Sequence, residues 1–350
     1  MESWDIVEWG RGLQHRVREA PVPRGTEVLV RVTHCGVCHT DVHVQEGYFE
    51  LGGGQRMSLA VRGSPLPLTP GHEIVGEVVA AGEEAHGVRP GQRVLVNPWT
   101  GCGECPLCRS DQDNLCANSR SLGISLQGGF ASHVLVPRPK YLVDITGLDP
   151  ALAAPLACSG VSTYRAARKL QPIDPGEWVA VIGCGGLGLA AISALRALGH
   201  ARILACDIDE RKTDAAVQWG ATTACSIKAD AAGEIASAAG GPLYAIMDFV
   251  GTDATMALSH AALRKGGRYV VCGLFGGELK VSSTVLALRE LAVQGSIVGS
   301  PQDLRELVAL AQAGTLRLGN VQPRPMTEAQ DALVDLAAGR VIGRQVLVAG

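Results

Sequence analysis

The 350-residue chain has little net charge. Its 31 basic and 34 acidic residues leave −3 at neutral pH, and the basic ones are scattered along the sequence. That balance offers no electrostatic face to nucleic acid or to an anionic membrane, which leaves small molecules as the favoured partners. The opening stretch also lacks the basic-then-apolar layout of a secretory signal. The opening "MESWDIVEWGRGLQ" starts acidic, so the expected compartment is the cytoplasm. One uncharged run, Trp178 to Leu195, is about long enough for a bilayer, but "GCGGLG" divides it into strand, turn and helix. No membrane span is expected. Fixed-period repeats and low-complexity segments are absent as well.

What is present is apolar mass: 47% hydrophobic residues over 350 positions, enough for at least one large core and for two domains. Two textures divide the chain. Up to about residue 155, short apolar runs such as "EVLVRV", "EIVGEVVAAG" and "QRVLVNPW" are broken by Gly and Pro, the pattern of a strand-rich, barrel-like region. From Trp178 the pattern alternates strand and helix through "WVAVIGCG", "LGLAAISALRALG", "RILACDID" and "ERKTDAAVQWGA". Such alternation predicts a parallel sheet covered on both faces. Further strands are expected at "AIMDFVG", "GRYVVCGL", "LAVQGSIVG" and "GRQVLVAG", with a helix over 301–313.

Gly183, Gly185 and Gly188 form a G-x-G-x-x-G between an apolar strand and a helix. The first glycine permits a tight turn, the second lets a pyrophosphate approach the backbone, and the third lets helix and strand pack closely. Gly186 and Leu187 open the helix, whose free N–H groups face the phosphates. Nineteen residues past Gly188, Asp207 ends the next strand. A carboxylate there bonds the adenosine ribose hydroxyls and repels a 2′-phosphate, which favours NAD over NADP. Arg211 and Lys212 nearby are the opposing signal, since they could greet that phosphate.

Eleven cysteines in a reducing compartment point to metal or catalysis rather than to disulfides. Cys102, Cys105, Cys108 and Cys116 are spaced C-x2-C-x2-C-x7-C in a Gly- and Pro-rich loop, which suits a closed tetrahedral zinc site. An iron–sulfur cluster has similar local spacing but no accompanying redox motif here. In "HCGVCHTDVH", Cys38 is the natural ligand. With His72 of "PGHEIVGE" and Cys158 of "PLACSGVSTY" it could make a three-ligand site with an open position, provided that the fold brings them together. His34 and Cys35 read as strand-end packing, and Cys184, Cys206, Cys225 and Cys272 as small apolar fillers.

Taken together, "GVCHTDVH", "GHEIVGEV", "NPWTGCGECPLCRSDQDNLC", "CSGVSTYRA", "GCGGLG" and "GRQVL" resemble the zinc-dependent alcohol dehydrogenases of the medium-chain dehydrogenase/reductase superfamily over nearly the whole chain, and within them the microbial, typically tetrameric, NAD-dependent members. The resemblance implies an α/β chain with a GroES-like, β-rich catalytic domain of residues 1–159 and 301–350. A Rossmann domain of residues 160–300, a doubly wound parallel sheet, would carry NAD. Two zinc ions per chain follow from it. Cys38, His72 and Cys158 would hold the catalytic one, with Glu73 able to replace water, and the four-cysteine loop the structural one. Asp41 would orient His72. Thr40 and His43 match proton-relay positions, while His39 and Arg344 match positions near the cofactor pyrophosphate. A homotetramer is implied too.

The expected reaction is reversible hydride transfer between a primary or secondary alcohol and NAD, giving an aldehyde or ketone, with zinc as the Lewis acid that stabilises the alkoxide. Trp99, Leu274 and Phe275 suit an apolar pocket and suit core packing equally. Three other readings stand beside it. A zinc-dependent polyol dehydrogenase would share most motifs but need a more polar pocket. A zinc-free quinone reductase of the same fold conflicts with the intact ligand set. A non-enzymatic, zinc-stabilised nucleotide-binding protein would bind NADH and turn over no alcohol.

Overall fold

The computed structural model describes residues 1–227 and 231–350. A seven-stranded sheet runs Leu142–Asp144, Arg93–Val96, Glu73–Ala81, Val28–Val37, Arg344–Val348 and Val321–Pro325, with His133–Val136 also paired to Val28–Val37. Its pairings are antiparallel except the one between Val321–Pro325 and Arg344–Val348. The central strand is buried at Val28, Leu29, Val30 and Val32 and again from Cys35 to Val37, with Arg31 exposed between, as suits a strand covered on both faces. Register shifts at Leu29/Val30 and at Val32/His34 mark irregularities of the kind that bend a strand. Val30, Val32, Ile74, Val78, Val94 and Phe130 fill the core beneath.

The register of this sheet builds a site at one end. Gly36 lies opposite Glu73, and Val37 lies opposite Gln345. The exit of the central strand therefore meets the first residues of the strands Glu73–Ala81 and Arg344–Val348. Cys38 follows directly and is the N-cap of an eight-residue helix, His39–Glu46, that closes on Gly47 in the left-handed region. The region read as strand-rich thus also contains the helix that carries the His39–His43 cluster.

The second sheet has six parallel strands in the order Thr223–Ser226, Arg202–Asp207, Trp178–Ile182, Leu243–Asp248, Leu263–Val271 and Ala292–Gly295. In sequence order this is 3-2-1-4-5-6, the doubly wound arrangement whose ligand crevice opens at the carboxyl ends of the central strands. Separate apolar clusters cover its two faces. Every strand and helix expected from Trp178 onward has a counterpart, including the helix Pro301–Gln312. The uncharged run divides into the strand Trp178–Ile182 and the start of the helix Gly186–Ala197, and no helix among the described residues is long and apolar enough to cross a membrane.

Candidate active site

Four donors from three separate parts of the chain meet at the end of the first sheet. The ligand atoms of Cys38, His72, Glu73 and Cys158 all lie within 4.8 Å of one another, and all four residues are buried. The Cys38 and Cys158 sulfurs are 3.9 Å apart. A Zn–S length of about 2.3 Å separates two sulfurs of a tetrahedron by about 3.8 Å, so the spacing fits. His72 Nε2 and Glu73 Oε2 are buried without a hydrogen-bond partner. Orphaned polar atoms cost stability unless something meets them, and two thiols, an imidazole and a carboxylate are donors that a zinc ion would satisfy.

Asp41 organises this cluster. Its fully buried carboxylate accepts from the backbone N–H of Cys38 (2.9 Å) and Gly71 (3.1 Å), and lies 2.9 Å from His72 Nδ1. A carboxylate only accepts, so Nδ1 carries the proton and Nε2 is left with its lone pair toward the cluster. The hydrogen bond with Cys158 holds the Cys38 thiol well below its ordinary pKa, and the same contact pushes Cys158 up. Burial raises Glu73 to about 7, against the pull of Arg344.

Arg344 is buried and donates from Nη2 to Glu73 Oε1. A Cβ on Gly186 would lie 2.8 Å from Arg344 Cδ, so this one side chain spans from the metal-type cluster to the start of the dinucleotide-type helix. Around the cluster, the Trp99 ring lies 5.5 Å from His72 and its indole N–H donates to Ala157 O. Ile124 and Val298 pack against Cys38, Trp99 and Cys158. Neither was anticipated. Val298 has φ +38, a costly conformation for a β-branched residue that no local sequence pattern announces.

The helix His39–Glu46 starts directly after Cys38. Thr40 and His43 are three residues apart and so share a face. The His43 ring sits 5.7 Å from His39 and 5.3 Å from Phe49, with Nδ1 3.5 Å from Glu46. His39 is lowered below its usual pKa by burial and by His43, and its ring lies 5.7 Å from Phe275. Phe275 and Leu274 are themselves more than half exposed, so they stand at the surface rather than packed against the four donors.

The second cluster is Cys102, Cys105, Cys108 and Cys116. Its sulfur separations of 3.9, 3.5 and 3.8 Å again match tetrahedral edges. Backbone N–H groups of Glu104 and Cys105 lower Cys102 to about 6, toward the thiolate that binds metal. Arg138 and Lys140 bond the carbonyls of Cys102 and Cys108, and Asn114 reaches out to Ile297 O, next to Val298.

At the parallel sheet, Gly183 turns at φ +87, and a Cβ on Gly188 would lie 2.0 Å from Gly183 O. Gly185, by contrast, faces open space. The Asp207 carboxylate accepts from Cys184 N (2.8 Å) and Asp209 N (3.0 Å), which ties the end of its strand to the glycine turn. Arg211, the opposing signal, is bound to Asp209 through Nε and Nη2.

Comparison with known proteins agrees with this geometry. Residues 24–147 match the family described as alcohol dehydrogenase GroES-like domain, and residues 186–313 match zinc-binding dehydrogenase. The chain is 38% identical to a NAD-dependent alcohol dehydrogenase of Sulfurisphaera tokodaii, covering 99% of this chain and 100% of that one. It is 36% identical to a protein of the same description from Saccharolobus solfataricus, with the same coverage. Among solved structures, the alcohol dehydrogenase of the archaeon Aeropyrum pernix superposes with a TM-score of 0.90 at 31% identity, over 99% of this chain and 100% of that one.

Proposed function

The chain belongs to the zinc-type alcohol dehydrogenases of the medium-chain dehydrogenase/reductase superfamily, and from that premise we propose the residue roles below. It is a NAD-dependent oxidoreductase that moves a hydride reversibly between a primary or secondary alcohol and NAD. The observation that carries the site assignment is the buried set Cys38, His72, Glu73 and Cys158, with its two orphaned ligand atoms.

Cys38, His72 and Cys158 would hold the catalytic zinc with Glu73 as an exchangeable fourth ligand, and Cys102, Cys105, Cys108 and Cys116 would hold a structural zinc, two ions per chain. A zinc ion with two thiolates and an imidazole supplies Lewis acidity toward the substrate oxygen. Gly183, Gly185, Gly186, Leu187 and Gly188 would hold NAD, with Asp207 to bond its ribose, and the cofactor would supply the hydride acceptor. Asp41 keeps His72 in the ligating tautomer. Arg344 and His39 would bind the pyrophosphate, and Arg344 also donates to Glu73. Thr40 and then His43 lead the alcohol's proton outward along one helix face, so bulk water stays out of the reacting pocket.

Trp99, Ile124 and Val298 make the wall next to the cluster apolar, which favours simple alcohols over polyols. Phe275 is assigned to the outer rim with Leu274. We further assign residues 1–159 and 301–350 to catalysis and 160–300 to the cofactor, and infer a cytoplasmic homotetramer from family resemblance and the free cysteines. A panel of primary, secondary, aromatic and sugar alcohols, assayed with NAD and NADP, tests the reading. Turnover of sugar alcohols alone would replace it with the polyol reading, and no turnover of any alcohol would leave only nucleotide binding.

A further inference from the structure

Two of the cysteines outside both metal-type clusters stand face to face. Cys206 and Cys225 are register partners on the neighbouring parallel strands Arg202–Asp207 and Thr223–Ser226, and their sulfurs are 3.3 Å apart. Adjacent strands lie about 4.8 Å apart, within the span of roughly 4.4–6.8 Å that a disulfide bridges between Cα atoms. Side-chain rotation of a little over 1 Å would bring the sulfurs to the bonding distance of about 2.05 Å. Cys206 is fully buried and Cys225 is half-buried, so a small reagent meets Cys225 first. We propose that this pair is a reversible oxidation site, in which a peroxide converts the two thiols into a Cys206–Cys225 disulfide.

The hydrogen bond from Cys206 lowers the Cys225 pKa and so favours its thiolate, the reactive form. That thiolate attacks one peroxide oxygen; the O–O bond breaks, hydroxide leaves, and Cys225 becomes a sulfenic acid. Cys206 Sγ then attacks the sulfenic sulfur. Its proton leaves with the displaced hydroxide as water, so that two thiols have lost two electrons and one peroxide has become two waters. A dithiol reductant reverses the bond by exchange.

The consequence lies one residue away. Cys206 precedes Asp207, whose carboxylate holds the Cys184 N–H in the glycine turn. Drawing Cys206 toward the edge strand shifts this carboxylate and weakens NAD binding, an effect that rests on the assignment of Asp207 to the ribose, whereas the disulfide itself does not.

The test uses the zinc-loaded enzyme, treated with a small excess of hydrogen peroxide at neutral pH, alkylated and digested without reductant. Mass spectrometry should find the Cys206 peptide joined to the Cys225 peptide, lighter by two hydrogens and separable with dithiothreitol. The apparent KM for NAD should rise severalfold, with kcat less affected, and fall again on reduction. Cys225→Ala should keep basal activity, form no such link, and show a KM that peroxide does not move. Peroxide treatment that leaves both thiols alkylatable, or drives Cys225 to a sulfinic acid with Cys206 still free, overturns the proposal. A linked peptide with an unchanged KM upholds the disulfide and overturns its effect on NAD.

Discussion

A Cβ placed on Gly36 would lie 1.9 Å from Glu73 Oε2 and 2.9 Å from Glu73 Cβ. The two residues are paired across the central strands, so the Glu73 side chain occupies the space that any other residue at 36 would need. Gly36→Ala must therefore push Glu73 away from Arg344 and from the cluster. Such overpacking costs about 1–3 kcal/mol. The expected result is a lower melting temperature together with a fall in kcat. A variant with unchanged stability and kcat would mean that Glu73 has room to spare and no fixed place in the site.

Metal analysis should give two zinc ions per chain, since the donor sets are separate. Cys38→Ser should lose turnover and one zinc while retaining NADH binding, because residue 38 lies outside the parallel sheet. Cys105→Ser should chiefly lower thermal stability, as a closed zinc site contributes directly to folding. Chelator titration followed by both activity and unfolding should separate the two losses. Identical behaviour of the two variants would contradict the division of roles, and full activity at one zinc per chain would remove the structural site.

Asp207→Gly should weaken NAD use and raise relative NADP use. The substitution removes a hydrogen-bonding carboxylate and the repulsion of a 2′-phosphate. Because Arg211 is held by Asp209, the gain toward NADP should stay modest unless Asp209 is also changed. The ratio of kcat/KM for the two cofactors reads this directly. An unaltered ratio would assign the ribose to another residue.

How far the sequence revealed these features depends on how local their chemistry is. The glycine turn and the four-cysteine loop each lie within one short stretch, so spacing alone discloses them. Cys38, His72 and Cys158 could be named as candidates, but their meeting depends on Gly36 pairing with Glu73 and on residues far apart in sequence. The same holds for Arg344, which reaches Glu73 because Gln345 pairs with Val37. The helix His39–Glu46 had a readable signature in Asp41 at its third position and Gly47 after its end, masked by the apolar runs around it. Val298 and Ile124 had none, since an apolar residue that packs on a ligand set looks like any other core residue until the chain is folded. Conversely, Leu274 and Phe275, apolar in a loop after a strand, lie largely exposed.

His43 gives the last prediction. Oxidising an alcohol at the four-donor cluster would release a proton beside Trp99, Ile124 and Val298, none of which can carry it away. His43 stands about one helical turn beyond Thr40, with 17% of its side chain exposed, near the His39 and Phe49 rings and Glu46. Histidine is the side chain suited to passing a proton near neutrality. His43→Gln should keep zinc content and NADH affinity, because position 43 belongs to neither donor set. Alcohol oxidation should slow by about tenfold to a hundredfold where proton release limits the rate, the lower end of what a general base contributes. Small diffusible bases should restore part of the loss. The deficit should be largest at neutral pH and shrink in alkali, where hydroxide can take the proton without a relay. Wild-type rates across that range, in a step limited by proton release, would reduce His43 to a packing residue against Phe49.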